Sequence, residues 1–161
     1  MKIMIVGIGG VGGYIAGMVG QKYKNLTLIA RGKRGEALRE HGVVLHSDFH
    51  GEKIVKDGVI RECAREVEEI QDLIFLCVKT YALEDVCQTL GSCVDDHTII
   101  VPVMNGADTA QRVREYLGKG LVVDAVIYTT AAANEDYSIT QLGQYTRILL
   151  GAVRELSLIH I

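Results

Sequence analysis

Six residues near the amino terminus, Gly7-Ile8-Gly9-Gly10-Val11-Gly12, carry the spacing G-x-G-x-x-G. Between a strand and a helix, that spacing suits the holding of a pyrophosphate against bare backbone. Gly7 permits the tight turn out of the strand. Gly9 lets the main chain approach the phosphates, and Gly12 lets the helix pack close to the strand. The helix start then offers unpaired N–H groups and the positive end of its dipole. The flanks supply the context this reading requires. Lys2–Val6 is an apolar run that reads as a buried strand, and Val11, Ile15 and Val19 recur every fourth residue over a predicted helix at Val11–Tyr23.

A second group sits one strand further on. An NAD-specific domain places an Asp or Glu about twenty residues beyond the glycine turn, to accept hydrogen bonds from the ribose 2′-OH. Here the predicted strand Leu26–Ala30 runs into Arg31-Gly32-Lys33-Arg34, with no acid before Glu36. A carboxylate repels a 2′-phosphate, whereas a guanidinium grips it with a planar fork. Arg31 is therefore the candidate for the extra phosphate of NADP(H), with Lys33 or Arg34 assisting. Three more segments end predicted strands or follow them: Val78-Lys79-Thr80, Val101-Pro102-Val103-Met104-Asn105-Gly106 and Thr129–Ala133. Doubly wound sheets bind ligands at such carboxyl ends. Lys79 at a strand end also suits an ordinary surface lysine, and Asn105-Gly106 also suits a plain turn. His46, Asp48 and His50 raise the question of a metal, but they fall on strand and turn with no third strong ligand, so no metal is expected. No nucleophile elbow is present.

The elements needed to position these groups alternate. Lys33–Glu40 reads as a short helix ending near Gly42. Val43–Leu45 and Ile54–Val55 read as short strand or loop segments around Gly51, and Arg61–Glu69 as a solvated, mixed-charge helical turn. Leu73–Val78 and Thr98–Val101 are buried strands, with a helix through Leu83, Val86 and Leu90 between them. Asp108 and Gln111 have capping-box spacing at the head of a helix that runs through Val113 and Leu117 to Gly118. Leu121–Ile127, Ser138–Leu142 and Arg147–Leu150 read as strands. The fold class is thus α/β, a Rossmann-type doubly wound and mostly parallel sheet, with antiparallel edge strands from the last third. Gly13, Gly17 and Gly20 each weaken the first helix by roughly 1 kcal/mol relative to Ala, so close packing against the sheet must compensate.

Composition sets the outer bounds. The 161 residues include 18 Gly and one Pro without any repeat, which excludes collagen-like and low-complexity readings. A formal net charge of -3 speaks against a nucleic-acid binder. Four cysteines without a C-x-x-C pair, no secretory signal and no apolar run of membrane-spanning length lead to the expectation of a cytoplasmic protein with reduced thiols and no membrane partner.

Taken together in order, the glycine turn, Leu28-Ile29-Ala30-Arg31, Val78-Lys79-Thr80, Val101–Gly106 and Thr129–Ala133 resemble the ketopantoate reductase (2-dehydropantoate 2-reductase) family. The resemblance covers the chain to Gly151. It implies NADPH-dependent reduction of a 2-keto acid, 2-dehydropantoate, to pantoate in pantothenate and coenzyme A synthesis. It also implies roles for single residues. Gly7, Ile8, Gly9, Gly10, Val11 and Gly12 form the NADP phosphate loop. Arg31 reads the 2′-phosphate and Lys79 lies near the cofactor. Asn105 contacts cofactor and substrate, and Ala133 contacts cofactor. Position 131 departs from the family pattern, which often has His there, and carries no assigned role.

Two domain-level expectations follow from the resemblance: residues 1–151 as the NADP-binding domain, and 152–161 as a non-family tail or truncation scar. The family's second, helical half supplies a general acid, so no catalytic residue is assigned within this chain, and activity of the chain alone is doubtful. A homodimer stays open for a longer parent. A related opine or keto-acid dehydrogenase and a non-catalytic NADP-sensing domain stay open as alternatives; the Lys79 and Asn105 segments favour an enzyme.

Overall fold

The computed structural model describes residues 1–151 and the backbone of 159–160. All four residues of β1 (Ile3–Val6) are buried. Alternate side chains of a strand point to opposite faces, so Ile3 and Ile5 enter one hydrophobic core while Met4 and Val6 enter another. Burial on both faces is why this strand, like the strand at Leu73–Leu76, reads as an uninterrupted apolar run.

The other strands of this sheet are β2 (Leu26–Ile29), β5 (Val59–Arg61), β6 (Leu73–Leu76), β7 (Ile99–Pro102) and β8 (Leu121–Val122). They pair in parallel in the order β5-β2-β1-β6-β7-β8. Numbered among themselves they run 3-2-1-4-5-6, the order of a dinucleotide-binding doubly wound sheet. Helix α1 (Gly10–Val19) and Leu38 of α2 (Gly32–His41) belong to the core on one face. Helices α3 (Leu83–Thr89) and α4 (Thr109–Leu117) fill the core on the other.

The remaining strands do not extend this sheet. A hairpin of β3 (Val43–Ser47) and β4 (Gly51–Val55) joins β9 (Asp124–Ala133) and β10 (Ile139–Gly151) in a second sheet, with β11 (Ile159–His160) on the far end of β10. The expected antiparallel strands therefore exist, β9 against β10, but in a layer of their own. Ser138–Leu142 and Arg147–Leu150 are one strand interrupted by a bulge, where Asp48 Oδ2 accepts the Gly143 N–H at 2.8 Å. The start of β10 lies parallel to β3, and there the Ser47 hydroxyl donates to Gln141 Oε1 in a fully buried bond.

This second sheet packs on the outer side of α1, which explains the helix's glycines. Gly10, Gly13, Gly17 and Gly20 lie along one stripe. A Cβ at Gly17 would fall 2.8 Å from Leu45 Cδ2 of β3, and one at Gly20 would fall 2.5 Å from Val55 Cγ1 of β4. At Gly13 it would run into the Ile139 side chain of β10. The compensation expected from packing is present, but its source is the second sheet.

Three local expectations are corrected. Helix α1 stops at Val19, capped by Gly20, rather than reaching Tyr23. Asp108 occupies the N-cap position of α4 but makes no side-chain cap bond; Gln111 instead bonds Glu115 at 3.0 Å, and the Thr109 hydroxyl donates to the Gly106 carbonyl at 2.9 Å. The charged run after Arg61 does form a helical turn, the 3-10 turn Ala64–Glu66, but it is not wholly solvated, because Ala64 and Val67 are buried. The C-terminal stop of α4 is as read: Gly118 adopts the left-handed conformation and donates to Arg114 O.

Candidate dinucleotide site

A cleft of about 400 Å³ opens at the carboxyl ends of β1, β2, β5 and β6. Its floor is the β1–α1 turn. Gly7 has φ +91, and a Cβ there would meet the Cys77 carbonyl and Val78 Cγ1 at 2.9 Å, so both backbone and neighbours demand glycine. Gly12 is required by proximity, because its Cβ would strike the Gly7 carbonyl. Gly10 faces away from the cleft, against the main chain of Ala131 in β9.

Gly9 differs from all of these. Its φ of -91 and ψ of -154 suit any residue, and a Cβ there meets nothing within 4 Å. Neither conformation nor internal packing asks for glycine at this position, yet it lines the cleft at the head of α1. The first turn of α1 has no acidic residue and no side-chain cap, so its leading N–H groups are free for an anion.

The side walls hold several predicted residues. Arg31, the N-cap of α2, is exposed and lines the cleft, as does Arg34 one turn on; Lys33 does not. Among the described residues no carboxylate pairs with Arg31, Lys33 or Arg34, and Glu62, which also lines the cleft, pairs instead with Arg39 at 3.8 Å. Lys79 follows β6 in extended backbone and lines the cleft ahead of a 3-10 turn, Thr80–Ala82. The Thr80 hydroxyl donates to Asn105 O at 3.3 Å, which ties the exposed Asn105 loop after β7 to the Lys79 segment. Cys77 also lines the cleft, but desolvation pushes its thiol up to about 12.

Other predicted residues lie elsewhere. Ile8 lines the cleft although it is buried in the core, and Val11 packs on that core. Ala133, at the end of β9 in the second sheet, packs on that core and does not line the cleft. His46 pairs with Glu52 at 3.2 Å, Asp48 serves the β10 bulge, and His50 packs on Phe49, so the three share no common centre. Sequence reasoning missed Glu62, Cys63 and Ala64 on the cleft wall, because the strand that delivers them, β5, has only three residues.

A parallel sheet in this order, with its cleft over a glycine turn, defines a dinucleotide-binding domain of the doubly wound type. Residues 3–155 match the family described as ketopantoate reductase PanE/ApbA, and the chain belongs to that family. It is 28% identical over 151 residues to an uncharacterized oxidoreductase, YkpB, of Bacillus subtilis, covering 94% of this chain and 48% of that protein. The crystal structure of 2-dehydropantoate 2-reductase from Porphyromonas gingivalis W83 superposes with a TM-score of 0.83 at 28% identity, covering 98% of this chain and 57% of that one. A ternary structure of D-mandelate dehydrogenase with NADH and anilino(oxo)acetate shares the fold, with a TM-score of 0.81 at 23% identity, over 96% of this chain and 49% of that one. The chain thus spans about half the length of the relatives it matches. No helix among the described residues is long and apolar enough to cross a membrane.

Proposed function

We propose that this chain is the cofactor-binding part of an NADPH-dependent 2-keto acid reductase, with 2-dehydropantoate as the substrate and pantoate as the product. Gly9 carries the reading: a bare residue beside open space, at a helix start in the cleft, where neither backbone nor packing asks for glycine and a pyrophosphate could touch the main chain. The residues fit a dinucleotide. The Gly7–Gly12 turn would take the pyrophosphate. Arg31, which no carboxylate pairs among the described residues, would take the 2′-phosphate.

When bound, such a cofactor supplies a hydride to the keto carbon of the substrate. Lys79 and Asn105, held on adjoining loops by the Thr80 bond, would then orient the nicotinamide end and the substrate carbonyl. The alkoxide formed at the carbonyl oxygen needs a proton or a cation beside it. The general acid is assigned to the part of the enzyme beyond the match to this chain. The role of Ala133 rests on family resemblance alone.

The test is titration of this chain with NADPH and with NADH. Arg31→Ala is expected to weaken NADPH binding by about 1.5–3 kcal/mol, the worth of a charged hydrogen bond, and to leave NADH nearly unchanged. Equal losses for the two cofactors would refute the phosphate assignment. Robust ketopantoate turnover by the 161-residue chain alone would refute the placement of the acid outside it.

A further inference from the structure

Helix α2 breaks a simple electrostatic rule. Its N-cap and first turn carry Arg31, Lys33 and Arg34 and no acid, although cations are disfavoured at the positive end of a helix dipole by about 0.3–1 kcal/mol each. Arg31 and Arg34 are also neighbours at i, i+3, where like charges repel. A local conflict of this kind marks a place where something other than stability is being served.

Arg34 is the member of the group with a built environment. Its guanidinium carbon lies 5.0 Å from the centre of the Tyr137 ring, which reaches it from the turn between β9 and β10. Its Nη1 is buried and has no hydrogen-bond partner among the described residues, while the side chain lines the dinucleotide cleft. Tyr137 is the one non-glycine residue with positive φ among those described, at 67. The turn around it is heavily tied. Asn134 N–H donates to Ser138 O at 2.8 Å, Tyr137 N–H donates to Asn134 O at 3.1 Å, and the Ser138 hydroxyl donates to Asp136 Oδ1 at 2.6 Å. Those bonds hold a strained tyrosine where its ring can shelve a cation.

We propose that Arg34, shelved on Tyr137, is the pre-set cation that selects a dinucleotide with a 2′-phosphate, and that Tyr137 is a positioning residue for it. The inference rests on the cofactor reading above and refines it. Arg31 is exposed and free to swing, so it must lose rotamer freedom on gripping a phosphate; Arg34 has lost much of that freedom already. Nη1 makes no hydrogen bond among the described residues, so the protein fixes this guanidinium by the ring and burial and leaves its donors unspent. The second sheet thereby takes part in cofactor choice through a residue about one hundred positions from the basic turn.

The test measures dissociation constants for NADPH and NADH on the full chain, with melting temperature alongside. Arg34→Met is expected to weaken NADPH about tenfold or more while NADH falls far less. Tyr137→Gly relieves the left-handed strain, so the melting temperature should hold or rise while NADPH affinity drops about threefold. Tyr137→Phe keeps the ring and should restore wild-type selectivity. A ring that merely props the turn would lower stability without moving the NADPH-to-NADH ratio. An unchanged ratio in both Arg34→Met and Tyr137→Gly, with Arg31→Ala still weakening NADPH far more than NADH, would overturn this proposal and leave the cofactor reading intact. Failure of the unsubstituted chain to bind either dinucleotide would overturn both.

Discussion

Helix α1 lies between two sheets and presents glycines to both, for opposite reasons. Toward the parallel sheet and its cleft, Gly7 and Gly9 keep space clear at the strand-to-helix turn, and the space at Gly9 stays open. Toward the second sheet, Gly13, Gly17 and Gly20 keep space clear that protein then fills with Ile139, Leu45 and Val55. One residue type on one helix therefore serves ligand access at its head and layer contact along its side. Substitution should separate the two roles: on the side it should damage the fold, and at the head it should damage binding alone.

The sharpest break is Gly17→Leu. Its Cβ would already crowd Leu45 Cβ at 2.9 Å, and that atom is fixed to the backbone of β3. Overpacking of this kind costs about 3 kcal/mol or more, against a helix-propensity gain of roughly 1 kcal/mol from removing a glycine. Urea denaturation should show the midpoint falling sharply or the chain failing to fold. An unchanged midpoint would mean that the second sheet does not bear on α1 as described.

A smaller break lies within the second sheet. Ser47→Ala removes the hydroxyl that donates to the fully buried Gln141 and accepts the Phe49 and His50 N–H groups at 3.2 and 2.9 Å. Leaving buried polar groups unpaired costs about 1–3 kcal/mol. The loss should appear in the denaturation midpoint, and the NADPH dissociation constant should stay put, because none of these residues lines the cleft.

The two layers were also unequally legible. The parallel sheet announces itself because its strands are buried on both faces, so Ile3–Val6 and Leu73–Leu76 are apolar without a break, and the glycine turn that they frame is local in sequence. In the second sheet β9 alternates half-buried and exposed residues in Asp124–Ala133, where alanine and threonine give weak contrast. Its register depends on partners far apart, such as Ser47 and Gln141, and no local pattern records that pairing. The same division runs through the site. Arg31 could be read from its distance to the turn, and Lys79 and Asn105 from strand ends. Arg34 on Tyr137 could not be ranked above Lys33 until the second sheet was in place. The wall at Glu62–Ala64 was hidden by a strand too short to show a period.

At the head of the helix the expected effect is on binding. A Cβ at Gly9 meets no atom within 4 Å and the position needs no unusual backbone, so the stability of Gly9→Val should stay within about 0.5 kcal/mol of the unsubstituted chain. The added methyls would stand where a pyrophosphate must touch the main chain. NADPH and NADH affinities should therefore fall together, by about tenfold or ~1.4 kcal/mol. A loss of stability with binding retained would reverse the division of labour between the head and the side of α1.

Thiol chemistry gives the mildest probe of the same division. Burial pushes the Cys87 and Cys93 thiols up to about 11, and Cys77 up to about 12, so at pH 8 only on the order of one Cys77 in ten thousand is thiolate. Those three should resist a thiol reagent such as DTNB in the folded chain. Cys63 is half-buried on the cleft wall beside Ala64, outside the cores that hold Cys87 and Cys93. One equivalent should therefore react well ahead of the others, and saturating NADPH should slow it. The cleft, not the general fold, governs that protection: at NADPH near the dissociation constant of the unsubstituted chain, Ser47→Ala should leave it intact while Gly9→Val should remove most of it. Rapid labelling of Cys77 would show instead that the floor under the glycine turn opens, and the contrast between a kept-open head and a filled side would lose its structural basis.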